Sequence, residues 1–299
     1  MYWKDFLDQL KDRTVKDLFW AVASPSPIDC NFDKKLFFPF HIQQQLVQEH
    51  LTYFRLLDEN PDALHTFLKL HLNNKRLGYL FEAMLLFFFR TSPHINVLVA
   101  NEQVFEGKQT IGEVDFIIEY DTTTYHIETS VKYYLNLKNK DDFKCWIGSS
   151  GNDDLNSKLE KVVKKQIPVA HHSKIKEKIP VPYTSYLWLK GKFFTQNEFP
   201  SWKNENASFG TFMTYSAFLE HFKASKKIQF YALERPAWMS DLCVPSEDLK
   251  CSWEELMDKI KSKLLLKKAL HLGIVEAGNY QTLFLITDEV NALLIAASD

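Results

Sequence analysis

Two short segments carry acids at positions suited to holding a divalent cation. GEVDFIIEY, residues 112–120, and TTYHIETSVKYYL, residues 123–135, alternate apolar and polar residues and are separated by Asp121-Thr122, the pattern of two strands joined by a tight turn. Side chains alternate faces along a strand. Glu113, Asp115, Ile117 and Glu119 therefore share one side of the first segment, and His126, Glu128, Ser130 and Lys132 one side of the second. Opposed residues of a hairpin lie about 5 Å apart, a separation at which Asp115 and Glu128 can share Mg²⁺ or Mn²⁺. Glu82 adds a third acid. Its helical neighbours three and four residues away are Gly78, Tyr79, Leu85 and Leu86, an apolar setting in which a carboxylate needs a partner. Phosphodiester hydrolysis uses a metal to polarise the phosphate and activate water, and a cation to stabilise developing charge. Asp115, Glu128 and Lys132 are residue types for that work. They equally suit the wetted face of an antiparallel sheet, and Glu82 equally suits an ion pair with Arg76 or Arg90.

The elements that must position these residues follow from periodicity. KRLGYLFEAMLLFFFR, 75–90, reads as a strongly apolar helix, and INVLVANEQVF, 95–105, as a Val-rich strand ended by Glu106-Gly107. After the hairpin, residues 153–167 set Leu155, Leu159, Val162, Val163 and Ile167 on one helical face, and YTSYLWLKGKFF is a further strand. The order is helix, three strands, helix, strand. Residues 1–73 read as helices, over 5–22, 42–57 and after Pro61, with Ser24-Pro25-Ser26-Pro27 breaking between the first two. Residues 196–299 read as an α+β extension with a helix at 212–223, a strand IQFYAL, a Lys-rich helix at 253–268 and two late strands.

Composition sets the bounds. The 299 residues, 45% hydrophobic and 25% charged, suit an ordered chain of one elaborated core or two domains. Cys30, Cys145, Cys243 and Cys251 are scattered without a CxxC pair, which argues against zinc or a disulfide framework and for a reducing cytoplasm. The longest apolar run, Tyr79 to Phe89, spans 11 residues and contains Glu82, whereas a membrane span needs about 20. A formal charge of −2 leaves polyanion binding to a local patch, and residues 158–178 offer one, with seven lysines against two glutamates. A solvated helix face explains those lysines as well, and the same holds for the lysines of 259–268. The Gly148 to Gly151 loop resembles an anion-binding loop, although Asp153 and Asp154 read as helix caps. His171 and His172 are adjacent, a poor geometry for joint ligation. Hydrolase-elbow, Walker, zincin and Rossmann motifs are absent.

The strings RLGYLFEAMLLF, GEVDFII and HIETSVKYYL, with WIG followed by DDLNSKL, resemble the domain-of-unknown-function family 1853. The likeness runs from about residue 36 to the Trp238 region and is densest over 76–160. That family resembles the PD-(D/E)XK, or restriction-endonuclease-like, superfamily, whose core order is α-β-β-β-α-β. The resemblance implies an α/β (α+β) fold with helical residues 1–73, a nuclease-like core over 74–195 and an extension over 196–299. It implies a Mg²⁺- or Mn²⁺-dependent phosphodiesterase acting on DNA, with Asp115 and Glu128 as metal ligands, Glu82 as the first-helix acid and Lys132 orienting water or stabilising charge. The superfamily lysine stands two residues after the acid, where this chain has Ser130. Lys132 is four residues on, about 13 Å of strand instead of about 6.6 Å. That departure supports a second expectation, an inactive nuclease-like scaffold that binds nucleic acid or a protein.

Overall fold

The computed structural model describes residues 3–72, 76–138, 141–149, 151, 153–196, 198–222, 228–233, 238–241, 245, 247–265 and 269–297. The first periodic stretch is two helices, α1 (Trp3–Gln9) and α2 (Arg13–Ala23). Asp12 breaks it, because its carboxylate accepts from the Thr14 and Val15 amides, each at 2.9 Å, and so caps α2. The second stretch divides in the same way into α3 (Phe40–Glu49) and α4 (Leu51–Glu59). Its break is His50, whose ring is buried against Leu46 O at 2.7 Å and Ser92 Oγ at 2.5 Å. Helix α5 (Asp62–His71) follows Pro61, and α6 (Leu77–Thr91) follows Arg76.

Strands β1 (Ile95–Glu106), β2 (Gln109–Tyr120) and β3 (Thr123–Asn136) form an antiparallel meander. Asp121 and Thr122 both have positive φ, 49° and 60°, the two-residue turn whose twist matches that of paired strands. Next come β4 (Trp146–Gly148), α7 (Leu155–Lys161), a π-helical turn (Val162–Gln166), α8 (Ile167–Ala170), α9 (Ser173–Lys178) and β5 (Thr184–Thr195). The rest of the chain gives β6 (Phe209–Thr214), α10 (Tyr215–Phe222), β7 (Gln229–Leu233), β8 (Lys250–Cys251), α11 (Trp253–Leu265), β9 (Leu270–Glu276), β10 (Asn279–Ile286) and α12 (Asp288–Ala297). The fold is mixed α+β, with a ten-stranded sheet ordered β1-β2-β3-β5-β6-β10-β9-β7-β8 and β4 on β3. The helix expected from 212 begins at Tyr215, because Phe209–Thr214 pairs in parallel with β10. Helix α12 went unread in the sequence. Among the described residues no helix is long and apolar enough to cross a membrane. No disulfide links Cys30, Cys145 and Cys251, and Cys243 lies outside the described residues, as do Lys267 and Lys268.

The chain divides into two compact units, Met1–Val131 with Lys158–Lys190, and Lys132–Ser157 with Gly191–Asp299, so that the boundaries fall inside β3 and β5. These units follow contacts between elements, whereas the stretches 1–73, 74–195 and 196–299 follow the order of periodic segments. The first unit is built on α6, which buries ten of its fifteen residues. A helix apolar on every side needs cover on every side. Phe54 stacks on Phe88, Phe67 meets Phe87, and Phe116 of β2 meets Phe89 edge-on.

The second unit packs α10 and α11 on β7, β9 and β10 through Phe218, Phe230, Leu256 and Leu272. It also buries a cation, Lys192, whose amine reaches Asp241 at 3.1 Å and the Thr282 hydroxyl. At Gly191 the backbone adopts φ 135°, and a side chain there would collide with the Lys132 carbonyl oxygen. Gly191→Ala should therefore cost more than about 3 kcal/mol in urea unfolding; a change within about 0.5 kcal/mol would show that the close approach does not constrain the strand.

Candidate functional site

The acids sit where the hairpin ladder stops. The β2–β3 register runs from Tyr120↔Thr123 to Phe116↔Ile127, and one further step would set Asp115 opposite Glu128. Instead the Asp115 carboxylate enters the gap. Its Oδ2 accepts from the Thr129 amide and the Thr129 hydroxyl, each at 2.8 Å. A buried amide must find an acceptor, so a side chain here does what a neighbouring carbonyl does elsewhere in the sheet, and the strands can part.

Glu128 is fully buried. One carboxylate oxygen lies 3.1 Å from His126 Nε2 and the other accepts from Gln166 Nε2 at 2.7 Å. Burial pushes Glu128 up to about 7, against the pull of Lys158, the Asp115 amide and Gln166, while Glu113 adds a further upward push. Asp115 rises to about 6 through burial and the Glu128 charge, with Thr129 and Lys158 opposing. Glu82, half-buried on α6, rises to about 7 through burial and then Asp115 and Glu113, with Lys158 opposing and Glu128 adding a smaller push. Burial lowers His126 to about 4, so its imidazole is neutral at neutral pH. The His126–Glu128 contact is thus a hydrogen bond from a neutral ring rather than an ion pair, and it leaves Nδ1 buried without a hydrogen bond.

The opposing cation comes from the helix that follows. Ile167 N–H bonds to Val162 O, five residues back, just before Pro168, which has no N–H to give. In a regular helix, at about 100° per residue, Lys158 and Gln166 would project about 80° apart. The wide turn absorbs one residue, so the pair spans the equivalent of seven and lines up to within about 20°. Lys158 Nζ reaches Gln166 Oε1 at 3.0 Å, and Gln166 passes its own amide to Glu128. The same turn rotates Val163, expected on the apolar face, out to 49% exposure. Sequence reading placed Lys158 only in a basic patch and missed Gln166; Pro168 inside a helical pattern was the available signal.

The structure thus brings Glu82, Asp115 and Glu128 into one another's field. It gives Lys132 a different carboxylate, Asp153, at 2.5 Å, which also accepts from the Tyr134 hydroxyl at 3.0 Å. Neither Arg76 nor Arg90 is among the principal charges acting on Glu82. In the Gly148 to Gly151 loop the Gly148 and Gly151 amides bond to Asp153 O and Gly148 O, and Ser150 lies outside the described residues. Asp154 caps α7 through the Ser157 amide at 2.8 Å, and His172 caps α9 through the Lys174 amide.

Hard oxygen donors of net negative charge suit Mg²⁺ or Mn²⁺. Among the described residues no three His, Cys, Asp or Glu side chains form a ready-made metal cage, so an ion held by these acids would draw on water for its remaining ligands, as Mg²⁺ does. Comparison with known families gives a match over residues 16–274 to the model described as "Domain of unknown function (DUF1853)". The chain belongs to the DUF1853 family. No curated protein and no solved structure matches this DUF1853 chain.

Raised carboxyl pKa values mean that the folded protein keeps protons the unfolded chain has released. Each such group costs stability as pH rises from about 4 to about 7. Asp115→Asn should therefore stabilise the metal-free protein by about 1–3 kcal/mol at pH 8, with the gain vanishing near pH 4. Thermal denaturation at the two pH values measures it, and a destabilised variant at pH 8 would show that the Asp115 charge is satisfied as it stands.

Proposed function

We propose that this DUF1853 chain is a metal-dependent phosphodiesterase, a nuclease of the PD-(D/E)XK kind acting on DNA. The observation that carries the reading is the cluster of three buried or half-buried acids, Glu82, Asp115 and Glu128, all pushed to about 6–7 and opposed by the Lys158 amine. The long elements follow in the order α6-β1-β2-β3-α7-β5, with the short β4 before α7 and the π-helical turn, α8 and α9 after it, and this order of long elements supports the reading. Asp115 and Glu128, with Glu82 behind them, would hold Mg²⁺ or Mn²⁺, which supplies a polarised phosphate and an activated water when bound. Lys158 takes the role that the superfamily gives to a strand lysine and that Ser130 cannot fill. Its charge stabilises the anion that develops on the phosphate, and Gln166 holds the amine in place. Lys161 and Lys165, on the same helical run as Lys158, and Lys176 on α9 are exposed and offer charges for a phosphate backbone.

A second reading, a scaffold that binds nucleic acid or a protein without cutting it, is favoured by one observation. Both Glu128 oxygens already accept hydrogen bonds, from His126 and Gln166. Plasmid nicking with Mn²⁺ separates the two. Asp115→Ala should abolish cleavage while leaving DNA binding intact. Lys158→Met should slow cleavage by about 10²–10³-fold, and Lys132→Met by less than about tenfold. Cleavage unaffected by Asp115→Ala would refute the assignment, and tight binding without cleavage across divalent metals would select the scaffold.

A further inference from the structure

Thr129 stands where the β2–β3 ladder stops and reaches one oxygen of Asp115 twice. Its amide and its hydroxyl both donate to Oδ2, each at 2.8 Å. An ionised carboxylate offers about four lone-pair positions, two on each oxygen, so Oδ2 is filled. An ion held by Asp115 is then held through Oδ1 alone. Glu128 is restricted as well. It accepts from His126 Nε2, from Gln166 Nε2 and from the Asp115 amide, which leaves it about one position. As the protein arranges them, both acids are ligands through a single oxygen.

We propose, on the reading that these carboxylates hold a divalent cation, that the Thr129 hydroxyl sets which cation. By filling Asp115 Oδ2 it denies the ion a carboxylate bound through both oxygens, and so selects Mg²⁺ or Mn²⁺ against Ca²⁺. Ca²⁺ gathers about six to eight oxygens and commonly takes a carboxylate through both. Mg²⁺ keeps several waters and is content with single oxygens from one or two carboxylates; Mn²⁺ shares its octahedral preference. Other side chains do not make up the difference, since among the described residues no three His, Cys, Asp or Glu form a cage. The hydroxyl is the part of Thr129 that sequence can change. The amide needs an acceptor whatever side chain it carries. Thr129 is buried, where valine, equally β-branched, would suit a strand as well if packing were all that mattered. Without the hydroxyl, Oδ2 regains a lone pair while the amide still holds it, and Asp115 can close on a larger ion with both oxygens.

Calorimetric titration of the full chain with Mn²⁺, Mg²⁺ and Ca²⁺ at pH 8 tests the proposal without reference to cleavage. In Thr129→Val the ratio of the Ca²⁺ to the Mn²⁺ dissociation constant should fall about tenfold. Thr129→Ser, which returns the hydroxyl, should restore the ratio. Lost packing would weaken both ions alike and leave the ratio where it was. Thr129→Ala removes the same hydroxyl and carries the test if the valine variant does not fold. Absence of Mn²⁺ binding by the folded wild-type chain would overturn the metal-site reading and this proposal with it. Wild-type Mn²⁺ binding with a ratio unchanged in the folded variants, equal loss of both ions from them, or a ratio that Thr129→Ser fails to restore would overturn this proposal alone.

Discussion

Three carboxylates inside one another's field, and largely out of water, cannot all carry charge unless a cation joins them. The features around Glu82, Asp115 and Glu128 follow from that constraint. Each acid is raised to about 6–7, close to where a small change in surroundings decides its proton. Lys158 is the cation that acts on all three. Hydrogen bonds from Thr129, Gln166 and His126 hold the Asp115 and Glu128 oxygens in place whichever form they take.

The surrounding fold can be understood as the means of keeping the acids there. Helix α6 is held by aromatic contacts on several sides, which fixes Glu82 on a rigid element rather than a loop. The β2–β3 hairpin sets its register at Asp121-Thr122 and counts back to Asp115 and Glu128 in a fixed number of residues. The π-helical turn before Pro168 brings Lys158 and Gln166 onto one line. Stability is given up at such places, since burying like charges costs free energy that the aromatic core must offset.

Much of this was legible in the residues themselves. The hairpin could be read because period-two alternation and a two-residue turn together fix register, so counting alone brings Asp115 and Glu128 to the step just past the last paired residues, Phe116 and Ile127. Glu82 could be read because a lone carboxylate in an apolar helix has few explanations. The partner of Lys132 could not be read from strand parity. Lys132 shares parity with Glu128, yet parity says nothing about Asp153, which is distant in sequence and takes its charge. Lys158 and Gln166 depend on a helical irregularity that shifts phase by one residue, which periodicity averages away. The breaks at Asp12 and His50 were hidden for a related reason: apolar spacing continues across a cap or a kink while the hydrogen-bond ladder does not.

The central claim is that Glu82 and Glu128, raised to about 7 beside Asp115, hold protons near neutral pH that a divalent cation displaces. Titration of the metal-free protein with Mn²⁺ at pH 6.5, in two buffers of different ionisation enthalpy, measures the protons released per ion bound. The account predicts binding with release of about one proton or more, and loss of that release in Asp115→Asn. Binding without proton release, or no binding while the protein remains folded, would contradict it.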